Sequence, residues 1–176
     1  IKFHEAYRLN KISENKKRTL AVIGAGGHGK VIADIAEESG WDNVVFFDSG
    51  WPEKLKNGCW NIVGDDAGLL ENINKYDGFI VAIGNNNARY SKTKQLIELG
   101  ANVITLVHPT AVISKHSSIG VGSVVAANAV INPFSTIGLA AIINTSSSVD
   151  HDCVLGDAVH ICPGVRLAGG VNIEDL

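Results

Sequence analysis

Between Ile113 and Ile173 every sixth residue is aliphatic: Ile113, Ile119, Val125, Ile131, Ile137, Ile143, Val149, Leu155, Ile161, Leu167 and Ile173. Four residues after each of the first ten stands a small or β-branched side chain: Ser117, Ser123, Ala129, Ser135, Ala141, Ser147, Cys153, Val159, Val165 and Val171. Gly120, Gly138 and Gly156 follow their aliphatics directly. Such a repeat specifies a solenoid, in which each coil stacks on the last and buries its aliphatics in one continuous core. With three hexapeptides to a coil, residues 111–176 make about three and a half coils.

Upstream the pattern is different. Residues 19–24 are a run of β-branched and apolar residues closing on Gly24, which reads as a buried strand. The loop Gly24-Ala25-Gly26-Gly27-His28-Gly29-Lys30 follows, and then Val31, Ile32, Ile35 and Ala36 recur at helical spacing as far as Gly40. Residues 44–47 form a second strand ending on Asp48, a β-loop-α-β unit that implies parallel pairing. A short strand over 62–64, a helix over roughly 67–72, a strand over 79–83, a helix to about Gly100 and a last strand over 103–107 complete a small doubly wound α/β unit. His108-Pro109 marks the join, because proline stops both helix and central strand. The predicted organisation is therefore a lead-in over 1–18, a Rossmann-like domain over 19–107 and a β-helix over 108–176.

Composition narrows the function. A net charge of −3 leaves no electrostatic footprint for nucleic acid, and the cluster Lys11, Lys16, Lys17 and Arg18 reads as a solvated tail. No apolar run reaches the length of a bilayer span and no secretory signal is present, so a cytoplasmic location is expected. Three cysteines, Cys59, Cys153 and Cys162, lack metal spacing and read as reduced thiols. The chain contains no methionine and stops in mid-repeat at Leu176, so it reads as a fragment.

Two constellations carry chemistry. Gly24-x-Gly26-x-x-Gly29 between strand and helix, with Asp48 closing the next strand, suits a bound diphosphate: glycines let the backbone approach, and the helix N-terminus presents free amides. NAD and any nucleoside diphosphate fit that physics equally; a tight turn with close helix packing is the plainer alternative. His28 inside the loop suits contact with a phosphate or sugar. The second constellation is Asp150-His151-Asp152, with Asn144 before it and His160 after it. Two places past a core aliphatic, His151 falls where the coil turns outward. A neighbouring Asp152 that accepts its ring N–H would set the tautomer and raise its basicity, as a general base at neutral pH needs. The repeat also resembles that of the gamma-class carbonic anhydrases, but His108, His116, His151 and His160 lack that family's close histidine pair, so no metal is expected.

The six-residue repeat resembles the left-handed β-helix of hexapeptide acyltransferases, an exception to the usual right-handed crossover. Residues 19–176 as a whole, with Gly-Ala-Gly-Gly-His-Gly-Lys, Ala82-Ile83-Gly84-Asn85, His108-Pro109 and Asp150-His151-Asp152-Cys153, resemble the sugar O-acyltransferases described as sialic acid O-acetyltransferase-like. Within that family the sequence is most similar to the UDP-4-amino-sugar N-acetyltransferases of the bacillosamine pathway. The resemblance implies a homotrimer with active sites between neighbouring β-helices, acetyl-CoA as co-substrate, and a UDP-amino sugar held by the α/β domain. By motif position His151 matches the general base and Asp152 the carboxylate that tunes it, although relatives often carry the longer Glu there. His160 matches an acetyl-CoA contact. Gly26, Gly27, His28, Asp48, Ser49 and Gly64 match the sugar-nucleotide side, and Asn144 contacts acceptor or acetyl group. Gly169 and Gly170 would let the pantetheine arm pass close to the coil, with further coenzyme contacts beyond Leu176.

The mechanism so implied is direct transfer through a ternary complex. An acyl-cysteine is disfavoured, because Cys153 and Cys162 occupy repeat positions expected to be small core residues. Three other readings stay open at this point: O-acetylation of sialic acid or a related sugar, an NAD-binding oxidoreductase, and a non-catalytic trimeric scaffold.

Overall fold

The computed structural model describes residues 17–176; Lys11, Lys16 and all but the last two residues of the expected lead-in lie outside the described residues. A five-stranded α/β sheet leads into a left-handed parallel β-helix, the fold class that the sequence predicts. In chain order the first part runs β1 (Thr19–Ile23), α1 (Gly27–Glu38), β2 (Asn43–Phe47), β3 (Lys56–Asn57), β4 (Trp60–Gly64), α2 (Asp66–Glu71), β5 (Gly78–Val81) and α3 (Asn86–Glu98). The sheet order is β3-β4-β2-β1-β5, parallel except for the β3–β4 hairpin.

Burial explains the unbroken apolar run of β1. Leu20 and Val22 pack with Ile32 and Ile35 of α1, while Ala21 and Ile23 pack on the opposite face with Leu69 and Leu96. A central parallel strand covered on both faces needs no polar alternation. Asp65 and Asn85 cap α2 and α3 by accepting from Gly68 N and Ala88 N at 3.0 Å each.

The β-helix consists of two-residue strands in three four-stranded parallel sheets. Residues 18 apart are partners, as in the column Val112, Val130, Ser148 and Arg166, so one coil is three hexapeptides. The core is the predicted ladder: Val125, Ile131, Ile137, Ile143, Val149, Leu155 and Ile161, interleaved with Ala129, Ala141 and Cys153. Two features escaped the sequence reading. The expected last α/β strand is split: Val103 bridges Phe79, whereas Leu106–Val107 pairs with Val124–Val125 and opens the β-helix one rung early. From Gly122 onward each corner also holds a left-handed residue three places after a ladder aliphatic, among them Asn128, Phe134, Ala140, Ser146, Asp152 and Ala158, with φ between 54° and 64°.

Two local expectations are corrected. Arg18 is not a solvated tail residue: its guanidinium donates to Gly40 O and lies 4.9 Å over the Trp41 ring, fixing the start of β1. Cys153 is buried as expected, but Cys162 is exposed, since the place directly after a ladder aliphatic already belongs to the turn.

The two parts share one apolar layer. Leu106 and Val124, which point outward from the β-helix, belong to the same buried cluster as Leu20, Ile32 and Ala33. Ser39 at the end of α1 donates to Val107 O at 2.8 Å. Among the described residues no helix is long and apolar enough to cross a membrane.

Candidate active site

His151 occupies the corner between the coil strands Ser148–Val149 and Val154–Leu155. The core carries Val149 and Cys153, so the intervening turn presents Asp150, His151 and Asp152 to solvent. The side chains of His151 and Asp152 are 61% and 62% exposed. His151 Nδ1 lies 2.7 Å from Asp152 Oδ2, and because an ionised carboxylate only accepts, the ring proton sits on Nδ1 and Nε2 carries a free lone pair. Asp152 reaches the ring although it is one methylene shorter than glutamate, because its left-handed φ of 59° turns the side chain back toward its neighbour.

On the other side Asp150 Oδ1 accepts from His151 N at 2.8 Å and from Asn132 Nδ2 at 2.9 Å, and these bonds hold its carboxyl below the usual range. The hydrogen bond to Asp152, then the charge of Asp150, raise the His151 pKa above its ordinary value. Directly above the ring is Gly169: a β-carbon there would stand 2.5 Å from both His151 Cε1 and Nε2. The glycine that the sequence assigned to the coenzyme thus also makes room for the imidazole, while Gly170, at φ 74°, donates its N–H to His151 O at 2.8 Å.

His160 and Asn144 form a second group. Asn144 Oδ1 accepts from Thr145 N at 2.8 Å, so its Nδ2 is the atom 3.0 Å from His160 Nε2. His160 Nε2 therefore accepts, and its proton sits on Nδ1, where it is available to a ligand. Burial and the charge of Arg89 lower the His160 pKa and keep the ring neutral. The two histidines are thus set in the same tautomer with opposite free groups: a base nitrogen on His151 and a donor on His160.

His28 of the glycine loop lies within electrostatic reach of this group. Burial, then the charges of His160 and Arg89, push its pKa down to about 4, and its Nε2 is buried without a hydrogen-bond partner. Gly26 and Gly27 at the start of α1 have nothing within 4 Å of where a β-carbon would be, whereas Gly29 would collide with Gly24 O at 2.5 Å and Phe46 at 2.9 Å. The first two glycines leave the helix N-terminus open; the third permits close packing.

Asp48 holds that loop: Oδ2 accepts from Ala25 N at 2.6 Å and Oδ1 from Gly50 N at 3.0 Å. Burial raises its carboxyl, but the two amide bonds and Lys54 outweigh it and leave the pKa below the ordinary value. Ser49 is exposed in the turn that follows. Gly64 is buried against Phe47, at 3.0 Å from a would-be β-carbon, and its carbonyl accepts from Asp48 N, so packing alone calls for glycine there. The structure therefore brings His28, Asn144 and His160 into one group and keeps His151, Asp152 and Gly169 in another on the next corner. Arg89, missed in the sequence, stands beside the first group; the Asn-rich turn before it gave no cue that its arginine would be buried. Among the described residues no group of three or more His, Cys, Asp or Glu side chains could hold a metal ion.

Residues 19–96 match the PglD N-terminal domain. The chain is 32% identical to the GDP-perosamine N-acetyltransferase of Escherichia coli O157:H7, over 88% of its own length and 72% of that protein. It is 31% identical to the UDP-N-acetylbacillosamine N-acetyltransferase of Bacillus subtilis (strain 168), over 62% of its own length and 52% of that protein. Among solved structures it resembles the acetyltransferase domain of PglB from Neisseria gonorrhoeae FA1090 in complex with acetyl coenzyme A, with 38% identity and a TM-score of 0.80 over 89% of this chain and 76% of that one. With the α/β domain, the β-helix and the relatives in agreement, the chain belongs to the hexapeptide-repeat sugar acetyltransferases that use acetyl-CoA and carry a PglD-type N-terminal domain.

Proposed function

We propose that the protein transfers the acetyl group of acetyl-CoA to the amine of a nucleotide-linked amino sugar, with His151 as the general base. The observation that carries this reading is the 2.7 Å bond from His151 Nδ1 to Asp152, which leaves Nε2 of this largely exposed side chain unprotonated and raised in basicity. Nε2 takes a proton from the sugar amine as the amine attacks the thioester carbonyl; the tetrahedral intermediate collapses with cleavage of the C–S bond, and the imidazolium returns that proton to the leaving thiolate, so that coenzyme A leaves as the thiol and His151 is neutral again. Half-buried, neutral His160 offers its Nδ1–H to acetyl-CoA, and Asn144 fixes that ring. Gly169 and Gly170 border the coenzyme path beside the His151 ring. Asp48 supports the glycine loop, so that Gly26, Gly27 and His28, with Ser49 in the neighbouring turn, face the sugar nucleotide, while Gly64 packs under Phe47 and serves the fold.

In this proposal residues 19–107 hold the sugar nucleotide and 108–176 carry out the transfer, with Leu106–Val107 already paired into the first rung of the β-helix. A homotrimer with sites between subunits, working in the cytoplasm, completes the proposal. A UDP-linked 4-amino sugar is the acceptor the sequence favours. The E. coli relative acts on GDP-perosamine by name, which puts a GDP-linked amino sugar beside it as the second reading. Incubating the full-length enzyme with acetyl-CoA and each sugar nucleotide, and identifying the product by mass spectrometry, tests the reading. A gain of one acetyl group on the amine supports it; O-acetylation alone contradicts it.

A further inference from the structure

Among the described residues Arg89 is the largest fully buried side chain, 1% exposed, and none of its hydrogen-bond partners is a carboxylate. Burial lowers its pKa to about 10, which leaves it a cation at neutral pH. A buried guanidinium with no counter-ion is expensive unless its donors are filled. Here they are. Nε donates to Ala140 O at 2.8 Å, Nη1 to Ile83 O and Gly84 O at 3.0 Å each, and Nη2 to Asn86 Oδ1 at 2.9 Å and Ala158 O at 2.6 Å.

These acceptors belong to both halves of the chain. Ala140 and Ala158 sit on one corner of successive β-helix coils, both left-handed at φ 54° and 55°. The coil below presents Gly122 on the same corner, where a β-carbon would come within 2.8 Å of Thr93 of α3. Small residues on this corner let α3 lie along it. On the other side, Ile83 and Gly84 follow β5 against the root of the glycine loop: a β-carbon on Gly24 would be 3.2 Å from Ile83 and 3.3 Å from Ala82 O. One side chain therefore joins the glycine-loop root to Ala158, two residues before His160. Leu106 and Val124 under α1 add an apolar, non-directional layer, and Ser39 adds its one hydrogen bond to Val107 O. The planar guanidinium fork supplies the direction.

We propose that Arg89 is a positioning residue for acetyl transfer: it locks the sugar-nucleotide domain to the β-helix in the one orientation that delivers the sugar amine to His151. The proposal rests on the acetyl-transfer reading above. The consequence is a specific split. Free nucleotide is held by the α/β domain and acetyl-CoA by the β-helix, so neither binding step needs the lock; only the meeting of the two substrates does.

The test compares full-length wild type with Arg89→Gln, Arg89→Lys and Asn86→Ala, each assayed well below its own melting temperature. Arg89→Gln is expected to lower kcat roughly 10- to 100-fold, as a misplacement of about 1 Å does. Acetyl-CoA KM and the titrated affinity for free UDP or GDP stay within about twofold. Lysine keeps the charge but not the fork, so it restores part of the loss. Asn86→Ala loosens one arm and lowers kcat a few-fold in the same pattern. Wild-type kcat in folded Arg89→Gln overturns the proposal, as does a loss matched by weaker nucleotide or acetyl-CoA binding. Should Arg89→Gln not fold, unchanged kcat in Asn86→Ala overturns it. Should wild type acetylate no sugar nucleotide, the functional reading fails by itself. Amide exchange over residues 82–89 and 138–160 then decides for Arg89: faster exchange in Arg89→Lys supports the lock and unchanged exchange removes it.

Discussion

The His151 imidazole and the bare α-carbon of Gly169 occupy the same corner on successive coils, with only 2.5 Å between the ring and the place where a β-carbon would stand. Glycine at 169 is therefore a condition for where the ring of the proposed base can lie. Gly169→Ala should displace the imidazole without strain elsewhere, since positive φ in this turn belongs to Gly170. We expect kcat to fall about 10- to 100-fold while the melting temperature moves by no more than a few degrees. Steady-state kinetics with thermal melting check it; unchanged kcat would mean that the ring finds an equivalent position.

The pH dependence follows from the flanking carboxylates. Asp152 and Asp150 hold the His151 pKa above its ordinary value, and only the unprotonated ring can accept the amine proton. The acidic limb of kcat/KM should thus lie above pH 6.5 in wild type. Asp152→Asn removes the acceptor of the Nδ1 proton, so the limb moves to lower pH. The plateau also drops, by about 100-fold or more, because the ring no longer holds the productive tautomer. A pH–rate profile that is the same in both proteins would exclude Asp152 as the tuning group.

His28 gives a stability prediction of definite sign. Its folded pKa of about 4 lies below the ordinary 6.5, so between those values the unfolded chain binds the extra proton. The neutral ring is fully tolerated above pH 6.5, and stability is lost as pH falls from there toward 4. At most about 3 kcal/mol is involved. His28→Gln should flatten this part of the stability curve; urea unfolding at pH 7 and pH 5 measures it, and equal losses in both proteins would contradict the burial argument.

The glycine loop separates packing from binding. A β-carbon at Gly29 meets backbone at 2.5 Å, so Gly29→Ala should destabilise the protein by about 1–3 kcal/mol. Gly26 has an extended φ of −84° and open space around it, so Gly26→Ala should change stability by less than about 1 kcal/mol. It should nevertheless weaken nucleotide binding about tenfold or more by crowding the open helix end. Calorimetric melting and nucleotide titration on the two variants separate the roles.

How far the chain could be read without coordinates depended on periodicity. The ladder from Ile113 to Ile173 announces its architecture because each aliphatic does the same job in the same register, and that register also released His151 for the surface. The strand-glycine-helix unit was legible for the same reason: Leu20 to Ile23 are apolar throughout because helices cover both faces. What stayed hidden depends on the meeting of distant segments. Arg89 looks like any charge on a helix until Ala140 and Ala158 arrive beside it, and His28 cannot be paired with His160 from sequence separation alone. The 18-residue coil puts Gly169 on the corner of His151, but the direction of the ring, toward the glycine, is set by side-chain geometry that the repeat does not specify. The left-handed corners carry Asn, Phe, Ala, Ser and Asp, so no single residue type marks them.

The central claim is that His151 is the base in an acetyl transfer to a nucleotide-linked amino sugar. It is tested most directly by acetyl-CoA consumption in wild type and His151→Ala, each offered UDP- and GDP-linked amino sugars and, separately, sialic acid. The account predicts turnover by wild type with a nucleotide-linked amino sugar and a loss of about 100-fold or more in an otherwise normally folded His151→Ala. Near-normal turnover by His151→Ala, or a strong wild-type preference for sialic acid, would contradict it.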